Sequence, residues 1–204
     1  ENGRGTALAQ LNLCRARLLP GGHPSRLAVD GFEKRWESFK AETGSVDFAD
    51  MIHWADSESP ACPGKPAVFI VDEAQDLVPA QWQLAQKWGE QAEHFITAGD
   101  PAQVLYSFAG ADPATLLTPL PEGQQRLLSK SYRLPRLIHL HAEGWLARHS
   151  GGLTNGRNYH PRAAGGIVSS SLATYREPND LLSSIAADLG RGHSVMILTS
   201  CRYM

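Results

Sequence analysis

Short apolar runs and amphipathic stretches alternate along this chain, and the rhythm changes near residue 67. Upstream, TALAQLNLCRARLL (Thr6–Leu19) and GFEKRWESFKAE (Gly31–Glu42) repeat apolar residues at helical spacing on either side of the breaker PGGHPS (Pro20–Ser25). From Ala67 onward the apolar runs AVFIV, HFITA, QRLLS, GIVSSSL and SVMILTS alternate with the helical segments PAQWQLAQKW, PRLIHLHAEGWLAR and NDLLSSIAADLG, and a Gly-rich loop follows HFITA. This alternation predicts βαβ units, hence an α/β fold built on a parallel sheet covered on both faces. Pro79 and Pro135 fall where a helix tolerates proline, in its first turn. Leu181, Leu182, Ile185 and Leu189 form a helical stripe that Gly190 is placed to end. HSGGLTNGRN (His149–Asn158) reads as a linker or long surface loop, and ADSES (Ala55–Ser59) as a solvated connection.

The stretch AVFIVDEAQDLVP (Ala67–Pro79) carries five apolar residues straight into Asp72, Glu73 and then Asp76. In open parallel sheets, ligands collect where the strands end at their carboxyl side. A carboxylate there can hold hydrated magnesium through its waters. A second one can orient and deprotonate a water that attacks a phosphoryl group. On this stretch alone, a plain strand end with a solvated loop fits equally well.

Its neighbours extend the pattern. DEAQD resembles the Walker B box of superfamily 1 helicases of the UvrD/Rep type, which reads DE-x-QD. HFITAGDPAQVLYSFAGADP (His94–Pro113) resembles that family's third motif, and SKSYRLP (Ser129–Pro135) the Tyr-Arg motif at the junction of its two RecA-like domains. SVDFADMI (Ser45–Ile52) is similar to the segment preceding the Walker B strand, and SVMILTSCR (Ser194–Arg202) to a strand of the second RecA-like domain. The resemblance implies a RecA-like parallel sheet of the P-loop NTPase type. It makes residues 1–44 a helical insertion of the first domain, 45–128 the second half of that domain, and 129–204 the start of the second.

It also implies roles. Asp72 would coordinate Mg2+ and Glu73 would be the catalytic base. Gln103 would contact the γ-phosphate of ATP, Arg133 would be the arginine finger and Tyr132 would stack on adenine. Tyr106 and Phe108, read as alternating on an extended stretch, would put both rings on one side to stack on bases of single-stranded DNA. Where the family box reads Tyr-Ser-Trp-Arg-Gly-Ala, this chain has Phe108 and Ala109, so one groove cation is missing. The implied partners are single-stranded DNA or DNA junctions, within a larger repair, recombination or replication complex.

No G-x-x-x-x-G-K-[ST] phosphate loop occurs in the 204 residues. CPGKP (Cys62–Pro66) precedes a strand and reads as a turn; NGRGTA near the start has Arg where Lys is required. The chain opens on Glu1, which fits a central slice of a helicase that alone would hydrolyse ATP negligibly. Two rival readings remain: a degenerate helicase-like scaffold that binds DNA without catalysis, and a different P-loop enzyme sharing only the Walker B strand.

Composition narrows this little. With 19 Lys and Arg against 21 Asp and Glu, no global field advertises a polyanionic partner, so any DNA contact is a local groove. Cys14, Cys62 and Cys201 are dispersed, which argues against a disulfide framework or zinc site and fits a cytoplasmic location. No apolar run reaches membrane-spanning length. His139 and His141 lie two apart on a predicted helix, facing different ways, and read as solvated or core histidines. Trp82 and Trp88 read as packing their helix against the sheet.

Overall fold

The computed structural model describes residues 7–118, 120–149, 159–170 and 178–198. Mixed helix and strand divide into two compact units, one of the described residues up to Leu127 and one from Leu128 onward.

The first unit begins with four helices: α1 (Ala7–Ala16), the short α2 (Pro24–Leu27), α3 (Asp30–Thr43) and α4 (Phe48–Glu58). Leu11 and Cys14 of α1 are almost wholly buried. A polar lock joins three of these helices. Asp47 caps α4, its Oδ1 accepting the Asp50 N–H at 2.9 Å, while Asp50 Oδ2 accepts the Asp47 N–H at 3.0 Å. Asp47 Oδ2 also accepts from Arg15 Nη1 of α1 (2.9 Å) and from Trp36 Nε1 (2.9 Å) and Lys40 Nζ (3.2 Å) of α3. Asp50 accepts from Arg15 Nη2 and, at 2.7 Å, from Lys40 Nζ. The SVDFADMI stretch is thus the N-terminus of α4 and the hub of this helical segment. ADSES is not a connection: Ala55–Glu58 is the last turn of α4.

Next come β1 (Val68–Val71), α5 (Pro79–Gly89) and β2 (His94–Thr97). The strands pair in parallel, Val68 opposite His94 through Val71 opposite Thr97. CPGKP is a turn, closed by the Lys65 N–H to the Cys62 carbonyl at 2.9 Å. Pro79 opens α5, and Gln81 Oε1 accepts the Val78 N–H at 3.1 Å. At the other end Gly89 is buried where an added methyl would run into the Phe95 ring, so the residue that weakens the helix lets α5 approach β2. Trp82 and Trp88 are half-buried, and the Trp88 indole donates to the Ser59 carbonyl at 3.2 Å.

In the second unit, β3 (Lys130–Pro135) pairs in parallel with β4 (His160–Arg162), joined to α6 (Arg136–His149) and followed by α7 (Asn179–Gly190). Several expected strands are displaced. QRLLS ends before β3 begins, the described part of GIVSSSL is irregular and that of SVMILTS has no strand. Pro135 closes β3 instead of opening a helix. The expected sheet covered on both faces is, among the described residues, two separate two-stranded sheets. In the first, Val68, Ile70 and Ile96 lie exposed on one face. A strand is stabilised by its neighbours more than by its own composition, so an apolar run without a pairing partner stays irregular. His139 is buried and His141 exposed, on different faces of α6. The HSGGLTNGRN stretch lies, from Ser150 on, outside the described residues.

Candidate functional site

Asp72 and Glu73 leave the carboxyl end of β1 side by side, and both are exposed. The Asp72 carboxylate accepts the Glu73 N–H at 2.9 Å through Oδ1. Glu73 has φ +51° and ψ +37°, the left-handed region that an L-residue enters at a cost of about 1–2 kcal/mol. Hydrogen bonds on both sides hold it there. The Ala74 N–H donates to the Ala98 carbonyl (2.9 Å) and the Asp76 N–H to the Glu73 carbonyl (3.0 Å).

The sharp bend turns the chain into a single 3-10 turn, Ala74–Asp76, whose Ala74 and Gln75 are 0% and 1% exposed. The buried Gln75 amide reaches both ways. Its Nε2 donates to Glu73 Oε2 at 2.7 Å, and its Oε1 accepts the Asp100 N–H at 2.9 Å.

Asp100 belongs to the loop that leaves β2, and it caps a second 3-10 turn, Pro101–Gln103. Its Oδ1 accepts the Ala102 N–H (2.9 Å) and its Oδ2 accepts from Gln103 Nε2 (2.7 Å). Gly99 is required by space: a methyl there would sit 2.6 Å from Gln75 Oε1 and 2.7 Å from Leu116 Cδ1. The first unit therefore brings Asp72, Glu73 and Gln103 to one end of the β1–β2 pair.

Beyond Gln103 the chain turns again. Tyr106 and Phe108 do not lie on an extended stretch: Ser107–Ala109 is a 3-10 turn closed by Gly110 at φ +107°. A Gly at positive φ three residues after Ser107 favours a turn over a strand. The rings still neighbour one another, with centroids 6.0 Å apart, and are 51% and 77% exposed. Asp76 Oδ1 accepts the Leu105 N–H at 2.9 Å and so fixes the start of this turn.

Tyr132 and Arg133 lie on β3 of the second unit, both exposed, with Lys130 Nζ 5.1 Å from the centre of the Tyr132 ring. Arg133 forms no ion pair among the described residues. The Ser131 hydroxyl accepts the Leu134 N–H at 2.9 Å, fixing the backbone around Arg133.

Among the described residues no three His, Cys, Asp or Glu side chains cluster as a metal cage. Magnesium does not need one, since it is commonly held by one or two carboxylates together with substrate phosphates and waters, and an exposed Asp72 fits that role. A cleft of about 1120 Å³ opens elsewhere in the first unit, among Arg15, Val46, Trp54 and Gln81. Its charged wall includes the Arg15–Lys40–Asp47–Asp50 lock, and Asp72, Glu73 and Gln103 do not line it. The sequence gives no role to Gln75, Asp76 or Asp100, although all three stand inside the words DEAQD and Gly-Asp.

The profile of the UvrD/REP helicase N-terminal domain matches residues 22–121. Over 76 residues the chain is 34% identical to the ATP-dependent DNA helicase UvrD2 of Mycobacterium tuberculosis, covering 35% of this chain and 11% of that protein. Over 107 residues it is 31% identical to one subunit of the ATP-dependent helicase/nuclease of Bacillus velezensis, covering 44% and 9%. Over 72 residues it is 33% identical to the RecBCD enzyme subunit RecB of Mycolicibacterium smegmatis, covering 35% and 7%. The chain thus spans 11% or less of the length of each of these relatives.

Proposed function

We propose, from the match of residues 22–121 to the UvrD/REP helicase N-terminal domain family, that the full-length protein is an ATP-driven translocase that moves on single-stranded DNA and unwinds the duplex. The observation that carries the reading is the meeting of Asp72, Glu73 and the Gln103 turn at the carboxyl end of β1 and β2. In the proposal, residues 45–128 are the second half of a RecA-like domain, 129–204 the start of another, and 1–44 a helical insertion.

Bound Mg–ATP supplies the electrophilic γ-phosphoryl group. Asp72 would hold the ion's waters, and Glu73 takes the proton of the attacking water. Gln103 exchanges its bond to Asp100 for one to the γ-phosphate. Tyr132 stacks on the adenine and Arg133 neutralises charge on the transferring group. Tyr106 and Phe108, exposed and adjacent, stack on bases of the strand. Two of the relatives are named as subunits, which supports work within a larger complex, one of DNA repair, recombination or replication in this proposal. The proposed location is the cytoplasm, on the dispersed spacing of Cys14, Cys62 and Cys201.

Glu73→Gln in the full-length protein tests the assignment. Removing a general base lowers kcat by roughly 10²- to 10⁴-fold while a fluorescent ATP analogue binds as before. Wild-type turnover would remove Glu73 from the role.

A further inference from the structure

Gln75 is the most deeply buried polar side chain near the site, at 1% exposure. A buried amide in this position must satisfy donor and acceptor alike. Its carbonyl takes the backbone N–H of Asp100, and its NH2 holds the carboxylate of Glu73. Asp100 in turn holds the side-chain amide of Gln103 at 2.7 Å. One continuous chain of hydrogen bonds therefore runs from Glu73 through Gln75 and Asp100 to Gln103. Gly99 leaves the room it needs, because any side chain there collides with Gln75 Oε1.

We propose that Gln75 is a positioning residue that ties Glu73 to the Gln103 turn, so that the carboxylate is aimed for proton abstraction only when that turn is in place. This rests on the functional reading above. Gln75 touches neither nucleotide nor metal there; it acts through Glu73. A strained backbone held by a buried amide is a stiff lever, since Glu73 cannot relax its orientation without breaking the bond to Gln75.

Two variants of the full-length protein test this. Gln75→Glu keeps length and volume and still offers Asp100 an acceptor, but once ionised it has no donor for Glu73 and sets a second carboxylate against it. Gln75→Met has similar length and loses both bonds without adding a charge, so either variant serves if the other does not fold. In steady-state hydrolysis with saturating single-stranded DNA, the expected result is a split. A carboxylate misplaced by an ångström lowers kcat by roughly 10- to 100-fold, while KM for ATP and the affinity for DNA stay within about threefold of wild type. A residue that merely supports folding would not separate kcat from KM in this way. A kcat within about twofold of wild type, or a KM that rises as much as kcat falls, overturns the inference. Wild-type protein without any DNA-stimulated hydrolysis overturns the functional reading and this inference with it, an outcome distinct from an active wild type with an unaffected variant.

Discussion

Glu73 occupies a backbone conformation that side chains avoid, and every group around it compensates. Gly99, packed against Gln75, exposes the arrangement to a simple test. Gly99→Ala places a methyl 2.6 Å from Gln75 Oε1 and 3.1 Å from the Ala74 nitrogen. Overpacking of this kind costs about 1–3 kcal/mol, seen as a lower urea midpoint, and it lowers kcat together with stability by pushing Gln75 off Glu73. Asp47 and Asp50 offer a second test at this scale. Burial raises both carboxyls, but the backbone N–H groups, Lys40 and Arg15, with Trp36 added at Asp47, outweigh it and hold them below the ordinary 3.8. A carboxylate depressed in the fold stabilises it above the unfolded value and loses that contribution as pH falls through the folded one. The helical segment therefore weakens from about pH 4 downward, and Asp47→Asn flattens this acid limb in urea midpoints taken between pH 3 and 6. Neither Gln75 nor the Asp47 hub was visible as such in the sequence. A motif tells which residue types stand together, but not which of them closes a hydrogen bond onto a loop 25 positions further on.

Elements that carry their own signal came through well. The spans of α1, α3, α5, α6 and α7 follow from helical spacing and from Pro79 and Gly190, while β1 follows from the five-residue apolar run AVFIV and β2 from HFITA. The later strands did not, because pairing rather than propensity decides them: β3 took the polar KSYRLP and not QRLLS. The aromatic turn makes the same point. Tyr106 and Phe108 are brought together by a 3-10 turn under Gly110, where an added methyl would sit 3.3 Å from Leu13 Cδ1 of α1, and not by strand alternation. Their exposure makes a measurable claim. Tyr106→Ala or Phe108→Ala weakens binding of an oligothymidylate by about 1–3 kcal/mol, read by fluorescence anisotropy in the full-length protein. Unchanged affinity in both variants would leave the rings without a role in the groove.

Across the whole chain, the β1–β2 pair keeps one apolar face open, with Val68, Ile70 and Ile96 respectively 47%, 60% and 48% exposed. Parallel strands are ordinarily covered on both faces. The 204-residue chain by itself is therefore expected to self-associate through this patch, and Ile70→Lys with Ile96→Lys should return it towards monomer in light scattering. The relatives are many times longer, and the proposed activity belongs to the full-length protein. That activity is read most directly from ATP hydrolysis by the full-length protein and its Glu73→Gln variant, each with and without single-stranded DNA. The expected result is turnover that rises with DNA in the wild type and is lost in the variant. Hydrolysis absent from the wild type under both conditions would contradict the proposed motor and favour a scaffold that keeps Asp72 and Glu73 without using them.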